Sequence, residues 1–270
     1  PVLACKYNSI EACAGGSLAV ANHLASFCRE VGLVTYLGDH DRREDFIRSS
    51  LQDNVQPFFV EKSRAPTIHK RRFVDEYSQT KLFELYVMDD SLMEGDNERE
   101  LLELLEGIIT DYDLVISVDY GHGMMTPDTI SLLCEKSRFL AVNAQSNAGN
   151  RGFNTISKYH SADYICLADH EIAVETRLRE GDPQELLLEV AKRVACERFT
   201  VTKGKWGSLH YECGMGFMTV PALATHVTDR VGAGDAVLAL TSMMLSQGAP
   251  WDIVGFVGNV AGAEIVAELG

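Results

Sequence analysis

The 270-residue sequence predicts an α/β protein in which a mostly parallel, doubly wound sheet is flanked by helices. Three observations predict it. Short apolar, β-branched runs alternate with segments of helical period from about residue 14 onward. Those runs are apolar throughout rather than at every second residue, as strands buried on both faces are. A hydrophobic content of 46% can fill one large core, so a single domain spanning 1–270 is expected.

Taken along the chain, a helix is expected at 17–30, then a strand at 32–38, "GLVTYLG", and a helix at 41–52. Residues 1–13 and 66–88 break the rhythm. Both alternate apolar with polar residues, as a half-exposed antiparallel ribbon does, and together they predict a small β appendage that serves as a lid or an oligomer contact, or is a sheet edge with no role. A helix at 97–109 leads to a strand at 113–119, "DLVISVD", and a helix at 127–137 leads to a strand at 139–144, "FLAVNA". The run "DYICLA" at 163–168 gives the next strand, followed by helices at 169–176 and 182–197. In the latter Asp182 caps the first turn, Pro183 takes the first helical position, and Leu186, Leu187, Val190 and Val194 form one apolar stripe. A strand at 199–204, "FTVTKG", and helices at 233–246 and 250–268 complete the order. Open sheets of this kind bind ligands beyond the carboxyl ends of their strands.

The formal net charge of −15 argues against a partner with a phosphate backbone, which needs clustered Lys and Arg; no nucleic acid is expected. No apolar run approaches the roughly 18 to 20 residues that cross a bilayer, so no membrane is expected and a cytoplasmic location is. The seven cysteines are odd in number, widely spread and free of C-x-x-C pairs. They read as reduced, mostly buried small hydrophobes without a catalytic role. The eight histidines show no zinc-binding spacing.

Three stretches carry chemistry. "TDRVGAGDAVLAL" (228–240) sets a glycine turn before a helix, where free N–H groups and the helix dipole attract anions. Gly232, Ala233 and Gly234 leave amides uncovered for a phosphoryl group, and Asp235 can take the proton of an attacking hydroxyl. On spacing alone the same residues also read as a turn with an Asp at a helix start. "ACAGGSLAVANHLASF" (12–27) places Gly15 and Gly16 before a helix, where a ligand can approach the backbone or where the chain simply turns. "VTKGKWGSLHY" (201–211) reads as a buried strand, a glycine turn and a return strand, which on its own is only a hairpin. A dinucleotide-dependent oxidoreductase is disfavoured, because its glycine fingerprint follows the first strand and the best glycine turn here lies near the C-terminus.

In this order the three stretches resemble the PfkB carbohydrate kinases, which have the ribokinase-like fold. "DRVGAGDAV" is similar to the C-terminal signature, "AGGSLAVAN" to the N-terminal glycine signature, and "VTKGKWG" to the nucleotide-side Thr-x-Gly-x-x-Gly turn. "PVLACKYNSIEACAGG", "APTIHKRRF" and "ISVDYGHG" most resemble the heptose 7-phosphate kinase half of bifunctional ADP-heptose synthases. The resemblance implies that ATP, with Mg2+ and K+, phosphorylates a hydroxyl of a sugar or sugar phosphate. It implies Asp235 as base and Gly232, Ala233 and Gly234 as the anion hole. It puts Thr202, Lys203, Gly204, Gly207 and Asn259 by the nucleotide, and Gly15, Gly16 and Asp119 on the sugar side. Glu171 would meet Mg2+ through water, and Asp229 would belong to a monovalent-cation site. It also implies a homodimer formed through the β lid and fusion to further domains.

Five departures stand against that pattern. Ala19 occupies the place of a sugar-binding Asn, and Asn22 comes three positions late. Ala168 replaces the Asn of an Asn-x-x-Glu motif whose Glu171 remains. Asn143-Ala-Gln-Ser146 stands where an Asp-Pro-Lys-Gly segment is typical, and Asp119-Tyr-Gly-His-Gly123 where Asp-Tyr-Ala-Lys-Gly is. The family's first strand, with a sugar-binding Asp, is expected before residue 1. Each lost polar contact costs on the order of 1 to 3 kcal/mol. A second reading is therefore carried beside the kinase: a domain that binds nucleotide or sugar and serves as a dimerisation or regulatory module.

Overall fold

The computed structural model describes residues 4–78 and 80–267. The outermost parts of two expected elements, at 1–3 and at 268, and residue 79 of the ribbon lie outside that range.

The main sheet has six strands: β5 (Val115–Asp119), β6 (Leu140–Ala144), β7 (Tyr164–Ala168), β8 (Arg198–Thr202), β9 (Ser208–Glu212) and β10 (Gly216–Val220). They lie side by side in chain order, β5 to β8 parallel and β9 and β10 antiparallel. The runs that are apolar throughout become the central strands because both faces are covered. On β7, Ile165 and Leu167 enter one core with Leu101 and Leu105 of α3 (Gly95–Ile108), Ile130 and Leu133 of α4 (Pro127–Lys136) and Leu187 and Val190 of α6 (Pro183–Arg193). Tyr164 and Cys166, one position out of phase, join Val237, Leu238 and Leu245 of α7 (Ala233–Ser246) and Val254 of α8 (Trp251–Ala267) on the opposite face. The two-residue period of the strand thus sorts side chains between two helical layers.

A second sheet pairs β1 (Val31–His40) with β2 (Val55–Pro66) in parallel. It has its own hydrogen-bonded ladder and joins the main sheet through apolar side chains: Val31, Leu33 and Val55 pack with Ile116 and Val118 of β5 beneath α1 (Ser17–Ala25). A third sheet is the antiparallel ribbon β3 (His69–Val74) and β4 (Lys81–Val87). Short helices α2 (Glu44–Ser50) and α5 (Asp169–Thr176) fill out the order.

The expected helices and strands occur at their expected places with shifts of a few residues at their ends, most of all in the first helix, which stops at Ala25. Two expectations are corrected. Residues 4–13 form no strand; they are exposed and have no partner strand, and alternation without a partner gives no ladder. The cysteines are not mostly buried: Cys166 and Cys196 are, whereas Cys5, Cys13 and Cys213 are exposed and Cys28 and Cys134 are half-buried. Among the described residues no helix is long and apolar enough to cross a membrane.

Candidate active site

The carboxyl ends of β5 to β8, the start of α7 and the inner end of the ribbon meet at one corner. At its centre is the glycine turn before α7. Gly232 caps the helix in the left-handed region (φ 83°), which a residue with a Cβ adopts only under strain. The first intrahelical donor of the turn is the Ala236 N–H, on the Gly232 carbonyl at 3.0 Å, so the amides of Ala233, Gly234 and Asp235 remain free. They point outward with the positive end of the helix dipole, an arrangement that holds an anion.

Asp235 is the third residue of α7 and half-buried. Burial raises its carboxyl from 3.8 to about 6, and the charge of Glu171 adds to the rise. A hydrogen bond from the Tyr120 hydroxyl to Oδ1, 3.0 Å long, and the charge of Lys70 act in the other direction. The carboxyl is therefore poised near neutrality, where a general base works best. Lys70 reaches in from β3, its ammonium 5.1 Å from the Tyr86 ring centre and 5.8 Å from that of Tyr120.

Gly16 caps α1 at φ 61°, and a Cβ there would lie 3.4 Å from the Tyr120 ring; beside Gly15 the space is open. Gly15, Gly16, Tyr120 and Asp235 thus share one wall. Asp119 does not join it. It is buried, and its carboxylate is used inside the protein: Oδ1 accepts from the Gly121 N–H at 2.9 Å and from Asn154 at 3.3 Å. Oδ2 accepts from the Tyr159 hydroxyl at 2.9 Å and pairs with the Lys158 ammonium at 2.5 Å.

On the far side of the anion turn, Thr202 ends β8 and Lys203 leads into a short 3-10 turn, Gly204–Trp206. Gly207 closes it at φ 83°, where a Cβ would stand 2.0 Å from the Val220 carbonyl oxygen. Only glycine fits there. Asn259 of α8 joins this turn, its amide donating to Ser208 Oγ at 2.7 Å and to the Gly255 carbonyl at 2.9 Å. A groove of about 400 Å³ beside the turn is lined by Asp169, Lys203, Gly204, Lys205, Trp206 and Arg230. Three cations around an exposed indole suit a polyphosphate with an aromatic base.

Glu171 is buried and caps the start of α5: Oε2 accepts from the Ala168 N–H at 2.7 Å and Oε1 from the Ser146 N–H at 3.0 Å. Burial nevertheless holds its carboxyl above the usual range. Among the described residues no group of three or more His, Cys, Asp or Glu side chains could hold a metal ion. Asp229 pairs through Oδ1 with the Lys81 ammonium of β4, at 2.5 Å, while its Oδ2 is buried without a partner.

The departures from the kinase pattern have visible structural uses. Asn22 cannot stand in for an Asn at Ala19, because its amide is spent on the Ser50 carbonyl (2.8 Å) and its oxygen on the Gln52 N–H (3.1 Å). The Asn143 amide ties β6 to β7 through the Cys166 carbonyl at 2.8 Å. His122 stacks on Tyr120 with ring centres 6.2 Å apart, and burial pushes it down to about 4, so it is neutral. Sequence reasoning did not single out Tyr120, Lys70, Lys81 or Arg230. Tyr120 lies inside the quoted "DYGHG" and Arg230 inside "DRVGAGD", but their use depends on partners more than 100 residues away or on the fold of the groove.

The profile described as "pfkB family carbohydrate kinase" matches residues 6–270. The chain is 28% identical over 264 residues to the bifunctional protein HldE of Bradyrhizobium diazoefficiens, covering 95% of this chain and 52% of that protein. It thus spans about half the length of the curated relatives it matches. Among solved structures, phosphofructokinase-2 from Escherichia coli in complex with potassium superposes with a TM-score of 0.78 at 19% identity, covering 95% of this chain and 82% of that one. Ribokinase from Thermotoga maritima gives 0.72 at 15% identity, covering 94% and 80%. The fold is therefore the ribokinase-like one expected from the sequence.

Proposed function

Because the chain belongs to the pfkB family of carbohydrate kinases, we propose that it carries out ATP-dependent phosphoryl transfer to a hydroxyl of a sugar phosphate resembling a heptose 7-phosphate, with Asp235 as base. The observation that carries the reading is the pairing of a half-buried carboxyl, raised to about 6, with three free amides at the start of the same helix. Asp235 accepts the proton of the acceptor hydroxyl, while the turn of Gly232, Ala233 and Gly234, with the free amides of Ala233 and Gly234, faces the charge that grows on the phosphoryl group. Gly15 and Gly16 flank the acceptor, and Asp119 fixes the loop behind it. Thr202, Lys203, Gly204, Gly207 and Asn259 hold the nucleotide, with Lys205 and Arg230 beside its phosphates.

Magnesium, when bound with the nucleotide, neutralises phosphate charge. Mg2+ keeps most of its waters and needs few protein ligands. Glu171 is the residue that would reach it through water, its two oxygens being oriented by the Ser146 and Ala168 amides. For potassium, the buried and partnerless Oδ2 of Asp229 is the atom that would hold it, with Lys81 already opposite Oδ1. Activity is expected to rise several-fold when K+ is added to a tetramethylammonium buffer; equal rates in both buffers would remove K+ from the site.

The bifunctional relatives, each about twice the length matched here, support a longer protein with further domains. Exposed Phe73, Phe83 and Leu85 on the ribbon support its use as a lid and as the contact of a homodimer, for which a cytoplasmic location is proposed. The decisive experiment is Asp235→Asn in the full-length protein, assayed with ATP and Mg2+ against free and phosphorylated sugars. Tight binding of ATP and sugar without turnover by the unaltered protein would instead favour the binding module suggested by Ala19 and Ala168.

A further inference from the structure

Tyr120 stands out because it meets Gly16, His122, Lys70 and Asp235 while having no part in the proposed reaction. Its ring covers Gly16, stacks on His122 and lies under the Lys70 ammonium. Its hydroxyl is the one side-chain donor hydrogen-bonded to Asp235 among the described residues. Burial and the adjacent carboxylate hold that hydroxyl well above its usual 10, so it remains protonated and can only donate to the carboxylate.

The backbone under Tyr120 is fixed on both sides. Asp119, just before it, is held by Tyr159, Lys158, Asn154 and the Gly121 amide. The carbonyl of Tyr120 itself accepts from the amides of Asn147, at 2.8 Å, and Asn150, at 3.1 Å. Both asparagines belong to the loop after β6, just beyond the 143–146 segment that departs from the kinase pattern. A side chain on so rigid a base delivers its hydroxyl to one place.

We propose that Tyr120 is a positioning residue for Asp235: by donating to Oδ1 it fixes the rotation of the carboxylate and leaves Oδ2 as the oxygen that meets the acceptor hydroxyl. The inference rests on the reading of Asp235 as base. A carboxylate free to rotate would present either oxygen in many orientations, and proton transfer needs one within hydrogen-bond reach of the acceptor. The groups facing Asp235 are Tyr120 from the loop after β5, Lys70 from β3, Glu171 from α5 and Cys166 from β7. Tyr120 is the one among them that hydrogen-bonds to it.

The test is Tyr120→Phe in the full-length protein, which keeps the ring and removes the hydroxyl. Two readouts are taken. The first is the titration of the Asp235 carboxyl by carbon NMR, which needs no turnover. Loss of a donor to the ionised form is expected to raise its pKa, and an unchanged titration overturns the contact. The second is kinetic: kcat is expected to fall about tenfold or more with the KM for ATP unchanged, and the acidic limb of the pH profile to move up with the NMR value. In an Asp235→Asn background the same substitution should cost almost nothing. A kcat loss of equal size in both backgrounds would make Tyr120 a merely structural residue and overturn the proposal. If the unaltered protein phosphorylates no sugar, the base reading fails, while the titration still decides the contact.

Discussion

Asp235→Asn is expected to lower kcat on the order of 100- to 10,000-fold, the usual contribution of a positioned general base, with little change in ATP affinity. In its proposed role as base Asp235 must be ionised. With the carboxyl raised from 3.8 to about 6, kcat should climb with pH through about 6 and level off above it. The same shift has a consequence for stability. A carboxyl whose folded pKa exceeds its unfolded one stabilises the fold fully below the unfolded value, and that stabilisation is lost as pH rises through the folded value. At pH 7 to 8 the ionised Asp235 is thus a burden on the fold. Asp235→Asn should raise stability there by up to about 2 kcal/mol, part of the gain being offset by the lost charge at the helix start. The gain should vanish near pH 4. Turnover that survives the substitution, or a variant less stable than its parent at pH 8, would count against this account; denaturant melts at both pH values and a coupled kinase assay read the two effects.

Asp119→Ala is expected to destabilise the fold by about 3 kcal/mol or more. The substitution removes the side-chain acceptor for the Gly121 amide and Tyr159 and one of the acceptors for Asn154, and leaves the partly exposed Lys158 ammonium with Asn154 Oδ1 but no carboxylate. The fully buried Tyr159 hydroxyl would keep Ser117 alone, at 2.8 Å. The sugar-side role implied by the family resemblance predicts something else: a raised KM for sugar and an unchanged melt. The two are separated by urea unfolding together with acceptor kinetics, and the geometry favours the loss of stability.

Much of the architecture could be read from local patterns. "DYICLA" announced β7 because a strand covered on both faces needs no alternation, and Asp182-Pro183 marked the start of α6 because Asp182 accepts from the Gln184 N–H at 2.9 Å. The strand β2 escaped, since "VQPFFVEKSRAP" holds two prolines and several charges. It tolerates them because it pairs with β1 on one side alone, where a strand needs only half of its donors. The alternation at 4–13 misled for the complementary reason: period alone supplies no partner. At the site, the glycine turn and Asp235 were visible because they are consecutive. The Tyr120 hydroxyl, 115 positions from Asp235, and the Lys81 ammonium, 148 from Asp229, are brought in by tertiary folding and leave no local mark.

The groove beside Gly204–Gly207 also gives the molecule an optical property. Of its two tryptophans, Trp206 is 67% exposed on the rim of that groove, under the Lys205 ammonium. Trp251 does not line the groove; it is packed on His210 and Tyr164 and tied to Glu212. The first indole would be quenched or shifted by a base stacking on it, and the second would stay constant as an internal reference. Emission from the unlabelled chain therefore reports whether the groove is filled.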